Sequence, residues 1–381
     1  MLIPYLRIVV REVMLRKIIF LTFIIFINSA NAAELFEYNI PTRARGMGGV
    51  YSPFPSDTDA IFVNPAALSE VGKLGWEIAN IQVGVNSLQN YTAYTALGTG
   101  GTSAYSALYG KSLWVGGNGR TSIVFPGFGI AAFNDVKVYG GLNKPPFPDF
   151  DIGYLNDVGF QVGAGFALNP IFSFGANVKR IQRTGGDTSL GLSTIAAATG
   201  TSIQSQFANG GYGFSTDLAL MAKVPGPFSP RVVAMWKDPG ALAFNMTSGT
   251  AAPPRIKDNF ILGAGTLMDL PGLDWRLGAE IRHINVNGIQ FGKKVHLGTE
   301  VSLPLIDVRA GLSQGYQSFG AGINLWFIKV DAAYYTVETG DYPGQTPDLR
   351  TEASFSINIS VDADFKMTGK DGKQRRVKQR R

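Results

Sequence analysis

Two imidazoles, His283 and His296, are the only histidines in 381 residues, and the chain has no cysteine. Hydrolytic or metal chemistry would need both on one face, beside a carboxylate or a nucleophile. His283 falls in register with the apolar positions of its segment, and His296 with the polar positions of the next, so the two are expected to diverge. "YGKS" at Tyr109–Ser112 ends like a phosphate loop, but Tyr105 stands where that motif needs its first Gly. Asp57 and Asp59 lack the spaced carboxylates and the Gly of a calcium loop. The sequence therefore points to no enzyme, no metal and no cofactor.

The other residues able to do chemistry are charges at every second position. Arg276, Glu280 and Arg282 alternate with Trp275, Leu277, Ala279 and Ile281. Lys294, His296 and Glu300 alternate with Val295, Leu297, Thr299 and Val301, and Asp307 and Arg309 with Ile306, Val308 and Ala310. Such charges could pair across a lumen, or select solutes moving through it. Pairing is the simpler role.

The elements that would position them are strands. Period-two alternation recurs from residue 74 almost to the C-terminus, most cleanly where Phe355, Ile357, Ile359, Val361, Ala363 and Phe365 oppose Ser354, Ser356, Asn358, Ser360, Asp362 and Asp364. The runs approach the length needed to cross a bilayer at a tilt. Short turns such as "LNP" at 168–170, "DLPGL" at 269–273 and "LPLID" at 303–307 contrast with long connections, the asymmetry of an outer-membrane barrel. Closure also removes unpaired edges, which hydrocarbon would penalise. The expected strands are 74–86, 120–133, 135–142, 152–168, 171–183, 210–223, 231–238, 258–268, 274–284, 291–303, 305–313, 317–327, 328–338 and 352–365. The fold class is all-β: a transmembrane antiparallel β-barrel of about 14 strands, with an N-terminal plug (hatch) inside. Trp76, Trp236, Trp275, Trp326, Tyr334 and Tyr335 suit interfacial girdles. Residues 88–114 do not alternate and read as a helix or folded loop, while 184–209 and 339–349 read as outer loops.

Compartment follows from the leader. Arg16 and Lys17, an apolar run from Ile18 to Ile27, and Ala30-Asn31-Ala32 make a secretory signal peptide over 1–32, with Met14 as an alternative start. The run is short of the roughly 20 residues of a spanning helix. The formal charge of +6 divides into +3 for the leader, +7 for a basic, disorder-prone tail at 366–381, and −4 for the body. An acidic body argues against nucleic-acid binding. The expected organisation is a plug at 33–72 and a barrel at 73–365, exported to the outer membrane of a Gram-negative cell. A soluble periplasmic β-protein would show the same alternation, with the apolar faces forming a sandwich core.

Between leader and wall lies "RGMGGVYSPFPSDTDAIFVNPAAL", Arg45–Leu68. Gly46, Gly48 and Gly49 allow close backbone approach. Ser56 to Asp59 fits a capping box, and Asn64, Pro65 and Ala66 an N-cap followed by Pro at the first helical position, with Val71-Gly72 as the stop. The segment has too few large apolar residues to fold alone and needs a surrounding surface.

This stretch resembles the N-terminal signature of the FadL-like outer-membrane proteins, a superfamily of long-chain fatty-acid transporters, PorV-like barrels and TraF-like proteins. The matching positions are Gly46, Met47, Gly48, Gly49, Asp57, Asp59, Asn64, Pro65 and Ala66. "VGFQVGAGFALNPIFSFGANVKRI" and the run from His296 to Asp348 are similar to PorV- and TraF-type strands. The resemblance implies a fourteen-stranded barrel whose N-terminus folds inward as a hatch, with Asp57, Asp59 and Asn64 as candidate latches. It implies passage of small hydrophobic molecules, with outer-membrane lipid and a small hydrophobic ligand as partners. The alternative is a non-transporting scaffold that partners a periplasmic or envelope protein. The sixteen residues after Phe365 depart from the family, whose chains often end on the last strand's aromatic.

Overall fold

The computed structural model describes residues 34, 36–55, 58–86, 111–143, 149–191 and 205–361. The leader, Ser56 and Asp57, most of 88–114 and the basic tail lie outside these residues.

Fifteen strands follow the hatch: β1 Leu74–Asn86, β2 Ser112–Phe125, β3 Phe128–Asn143, β4 Asp149–Ala167, β5 Phe172–Gly191, β6 Gly210–Lys223, β7 Arg231–Lys237 and β8 Asn245–Ser248. Then come β9 Asn259–Leu270, β10 Leu273–Ile281, β11 Val295–Ser302, β12 Ile306–Ser313, β13 Tyr316–Leu325, β14 Ile328–Glu338 and β15 Pro347–Val361. Neighbours pair antiparallel, and β1 meets β15 from Leu74↔Val361 to Asn86↔Arg350, which closes the sheet. Short β8 pairs only with Gly210–Tyr212 of β6, while β7 pairs with β9. The closed ring therefore has fourteen strands.

Connections at one rim are tight: 126–127, 168–171, 224–230, 271–272, 303–305 and 326–327. The opposite rim carries the long ones, including 238–258 and 282–294. β1 starts and β15 ends at the short-turn rim, where the hatch joins the wall. Outward positions are apolar and open, Val308 at 55% and Ile359 at 41% exposure, whereas Glu300 and Arg309 point inward and are buried. An outward surface of this kind suits a bilayer, which would remove it from water at roughly 25 cal/mol per Å² of apolar area.

Several boundaries differ from the sequence expectation. The second and third strands turn at Pro126-Gly127, with Phe125 opposite Phe128, and Asn134 sits within β3 opposite Gly119. β5 continues to Gly191, so the first part of the expected 184–209 loop is strand paired with β4. Residues 291–294 form a 3-10 turn ahead of β11. The last strand starts at Pro347 rather than 352 and is described as far as Val361, with 362–365 outside the described residues. Tyr335 is not a girdle residue: it faces inward, and its hydroxyl donates to Glu352 at 3.1 Å. Its neighbour Tyr334 is exposed, as period-two geometry requires.

The hatch contains a helix at Thr42–Gly46, one turn at Ala60–Val63 and a 3-10 helix at Pro65–Glu70. Ile61, Phe62, Val63 and Leu68 pack with Val124, Phe133, Ile181, Met221, Met235 and Ile261 of the wall in one apolar cluster. Burying each large aliphatic side chain contributes about 1.5–3 kcal/mol. That cluster lies against β2–β9. The remaining wall meets the hatch through close glycine backbone contacts and ion pairs.

Candidate functional site

The site is the interface between hatch and wall, and its first feature is backbone contact without side chains. Gly46 lies so close to Gly320 of β13 that a Cβ on Gly46 would come within 2.8 Å of the Gly320 Cα. Gly48 holds φ at +66°, donates its N–H to Ser318 Oγ at 2.8 Å, and has no room for a Cβ beside the Leu297 carbonyl. On the wall, a Cβ at Gly298 would reach Met47 O at 2.1 Å, and one at Gly311 would reach Gly48 N at 2.3 Å. Met47 itself packs with Val50 and Phe54 in a second, small apolar cluster. Inward glycines on β11, β12 and β13 thus form a smooth seat for the hatch glycines. Gly298 and Gly311 stood in the alternating polar faces of the sequence, but nothing there marked them as a seat.

The second feature is a charge network. Arg43 of the hatch grips Glu300 of β11 with two bonds, 2.6 and 2.8 Å. Glu300 also accepts from Arg276 at 2.8 Å and from Arg309 at 2.6 Å. Arg309 continues to Asp307 and Asp331, both at 2.7 Å. Arg276, Glu300 and Arg309 stand directly opposite one another on β10, β11 and β12, so they pair along the wall rather than across the lumen. The buried Glu280 accepts the backbone N–H groups of Tyr51 and Ser52. Charges taken from water are tolerable only when partnered in this way.

The Asp59 carboxylate pairs with Arg120 of β2, which also bonds Glu77 at 3.0 Å. The capping box expected from Ser56 lies outside the described residues. A buried guanidinium has a strong claim on a carboxylate. Asn64 does cap the 3-10 helix, accepting from Ala66 N at 3.1 Å, and its amide donates to Ser52 O at 2.9 Å. Its bonds hold the hatch to itself, with only Met221 Sδ at 3.8 Å on the wall. Pro65 lies over Gly175 of β5, where a Cβ would sit 2.2 Å from the Pro65 carbonyl carbon, and Ala66 is fully buried. Lys294 stands apart from this network and donates to Val286 O at 2.9 Å.

The two histidines do not diverge. β10 ends at Ile281, and His283, at φ +54°, turns inward instead of keeping the outward parity of its strand. Its Nε2 lies 2.9 Å from Glu37 of the hatch. His296 Nδ1 is 2.7 Å from Arg282 and 3.0 Å from Gly48 O. Both histidines line one small cavity of about 40 Å³ near the long-loop rim, together with Glu34, Glu37, Arg282 and Arg350. Among the described residues no group of three or more metal-ligating side chains occurs. A second cavity, about 220 Å³, lies toward the short-turn rim between Arg43, Asp59, Glu77 and Ser356. It adjoins a register shift in β1 between Glu77 and Asn80.

Glu34 and Glu37 were missed by sequence reasoning, because they precede any regular element. Arg350 donates to both oxygens of Glu34, at 2.7 and 2.6 Å. Burial disfavours the Glu37 carboxylate, yet Arg282 and the His283 hydrogen bond outweigh it and hold its pKa well below the ordinary range. Glu34 is lowered in the same way: burial is opposed by Arg350. The interface combines a backbone glycine seat with ion pairs, and on β11 and β12 the two lie side by side.

The backbone is similar to that of the toluene transporter TodX of Pseudomonas putida, with a TM-score of 0.50 and 11% identity over 88% of this chain and 100% of that one. It is also similar to the monoaromatic hydrocarbon channel CymD, TM-score 0.50 and 12% identity over 86% and 100%. A FadL homologue of Pseudomonas aeruginosa gives 0.46 and 12% over 87% and 100%. No protein-family model matches the chain, and no curated protein matches it in sequence. The fold is the FadL-like barrel, closed by its own N-terminal segment.

Proposed function

We propose that this FadL-like barrel passes small hydrophobic molecules across an outer membrane, gated by the hatch, and performs no catalysis. One observation carries the reading: residues 60–68 of the hatch meet β2–β9 through one continuous apolar cluster. Ile61, Phe62, Val63 and Leu68 face Val124, Phe133, Ile181 and Met221, so a small shift of residues 60–71 would open an apolar path. Arg43, held by Glu300, lies on the opposite side as a fixed hinge. The named activities of TodX and CymD agree with an apolar cargo. The leader 1–32 would direct export, the plug would comprise 33–72, and the outward apolar band would contact lipid.

The test is uptake of N-phenyl-1-naphthylamine, a hydrophobic dye excluded by an intact outer membrane, into Gram-negative cells carrying the barrel. Faster uptake than in vector-only cells at equal envelope integrity is the expected result. Equal rates with the barrel present in the outer membrane would refute passage. The small, discontinuous cavities favour one second reading, a scaffold that binds an envelope protein and stays shut. That reading expects equal dye uptake and a stoichiometric protein partner on purification.

A further inference from the structure

We infer that the cavity at the long-loop rim is a binding site for small dicarboxylates, occupied at rest by Glu34 and Glu37 of the chain's own arm. Five cations line it: Arg45, Lys137, Arg282, Lys293 and Arg350. Its only carboxylates are Glu34 and Glu37, and both belong to the arm. Asp348 and Asp135 back Arg350 and Lys137 at 2.8 Å from outside the lining. The arm's two carboxylates thus complete the partnering of a cation-rich lining whose Arg350 and Lys137 also hold wall carboxylates.

The arm is held as a ligand would be. Glu34 takes a two-bond guanidinium fork from Arg350, the geometry that suits a carboxylate. Glu37 receives Arg282 NH1 at 2.9 Å. Two carboxylates held by two guanidinium groups are the chemistry the site already accommodates. Two guanidinium donors on lining residues, Arg45 Nε and Arg282 Nε, have no hydrogen-bond partner among the described residues. A free ligand with more oxygens than the arm would satisfy them. Residues 34–41 form no strand or helix with the wall, so side chains alone keep the arm in place.

A tethered arm competes at an effective concentration of about millimolar, so free ligand must be supplied at that level to displace it. The experiment uses the full barrel in detergent, phthalate as ligand, and a glutamate-specific protease, read by intact mass. Phthalate is expected to speed cleavage after Glu34 and Glu37, while equimolar benzyl alcohol, a neutral ring, does not. Unchanged cleavage, or equal acceleration by both compounds, would overturn the inference. By calorimetry the Glu34→Gln/Glu37→Gln variant should bind phthalate roughly tenfold more tightly than the native chain, as expected when a tethered competitor is lost. Adding Arg350→Gln should abolish that gain. Equal affinity in the native chain and the double variant, or indifference to Arg350→Gln, would also overturn it. The protease arm uses the unmodified chain, so it decides even where a variant fails to fold. Binding is measured without passage, so failure of the transport reading leaves this result standing.

Discussion

At the residue scale, Glu300 is where hatch and wall are most tightly joined. Three guanidinium groups, from Arg43, Arg276 and Arg309, converge on one carboxylate with almost no solvent access. Glu300→Gln leaves the buried Arg309 and the part-buried Arg43 and Arg276 short of a counter-charge, and breaking a buried pair in this way costs about 3–5 kcal/mol. The expected outcome is a lower urea midpoint for loss of heat-modifiable gel migration; an unchanged midpoint would mean that the network contributes no stability. The arm carries a pH prediction. The carboxylates of Glu34 and Glu37 have folded pKa values below their ordinary one. Their pairing is therefore fully present above the ordinary carboxylate range, and is lost as pH falls through the lowered values. A spin label at Phe36→Cys, unique in a chain without cysteine, should stay immobile from pH 8 to 5 and loosen only in stronger acid. Loosening already between pH 8 and 5 would contradict the assignment.

At the scale of elements, the glycine seat sets how deeply the hatch sits. Gly298→Val places a side chain where Met47 O now lies, so the hatch must lift while β11, an inward-facing strand position changed only on its lumen side, still pairs. A folded barrel with faster hydrogen exchange across residues 42–50 is expected; unchanged protection would mean that the seat is not where the hatch bears. Legibility of the sequence followed the same division. β10, β11, β12 and β15 stood out because their inward faces carry charge or serine against outward Leu, Val, Ile and Phe. β2 and β3 were blurred because their lumen faces meet the apolar side of the hatch. Val124 and Phe133 point inward, so both faces carry apolar residues and the period weakens. The Asn134-Asp135 pair then looked like a turn, although Asp135 is an inward partner of Lys137. Asn64 was legible as a cap through its Pro neighbour, but the long-range pairing of Asp59 with Arg120 was not. Nor was the inward turn of His283, which depends on where β10 ends.

At the scale of the whole molecule, a fourteen-strand wall with a fixed N-terminal filling explains how 40 polar or charged side chains are buried among the described residues. The outward face is apolar, the hatch fills the lumen, and the proposed route of passage is the apolar cluster between hatch and wall. The most direct test of hatch gating is single-channel conductance in planar bilayers, comparing the native chain with Arg43→Gln, which removes the hatch's grip on Glu300. The native barrel should be nearly silent, and the variant should open often to a larger state while retaining heat-modifiable migration. A steady, open pore in the native chain, or an equally silent folded variant, would contradict a gate held shut by its own N-terminus.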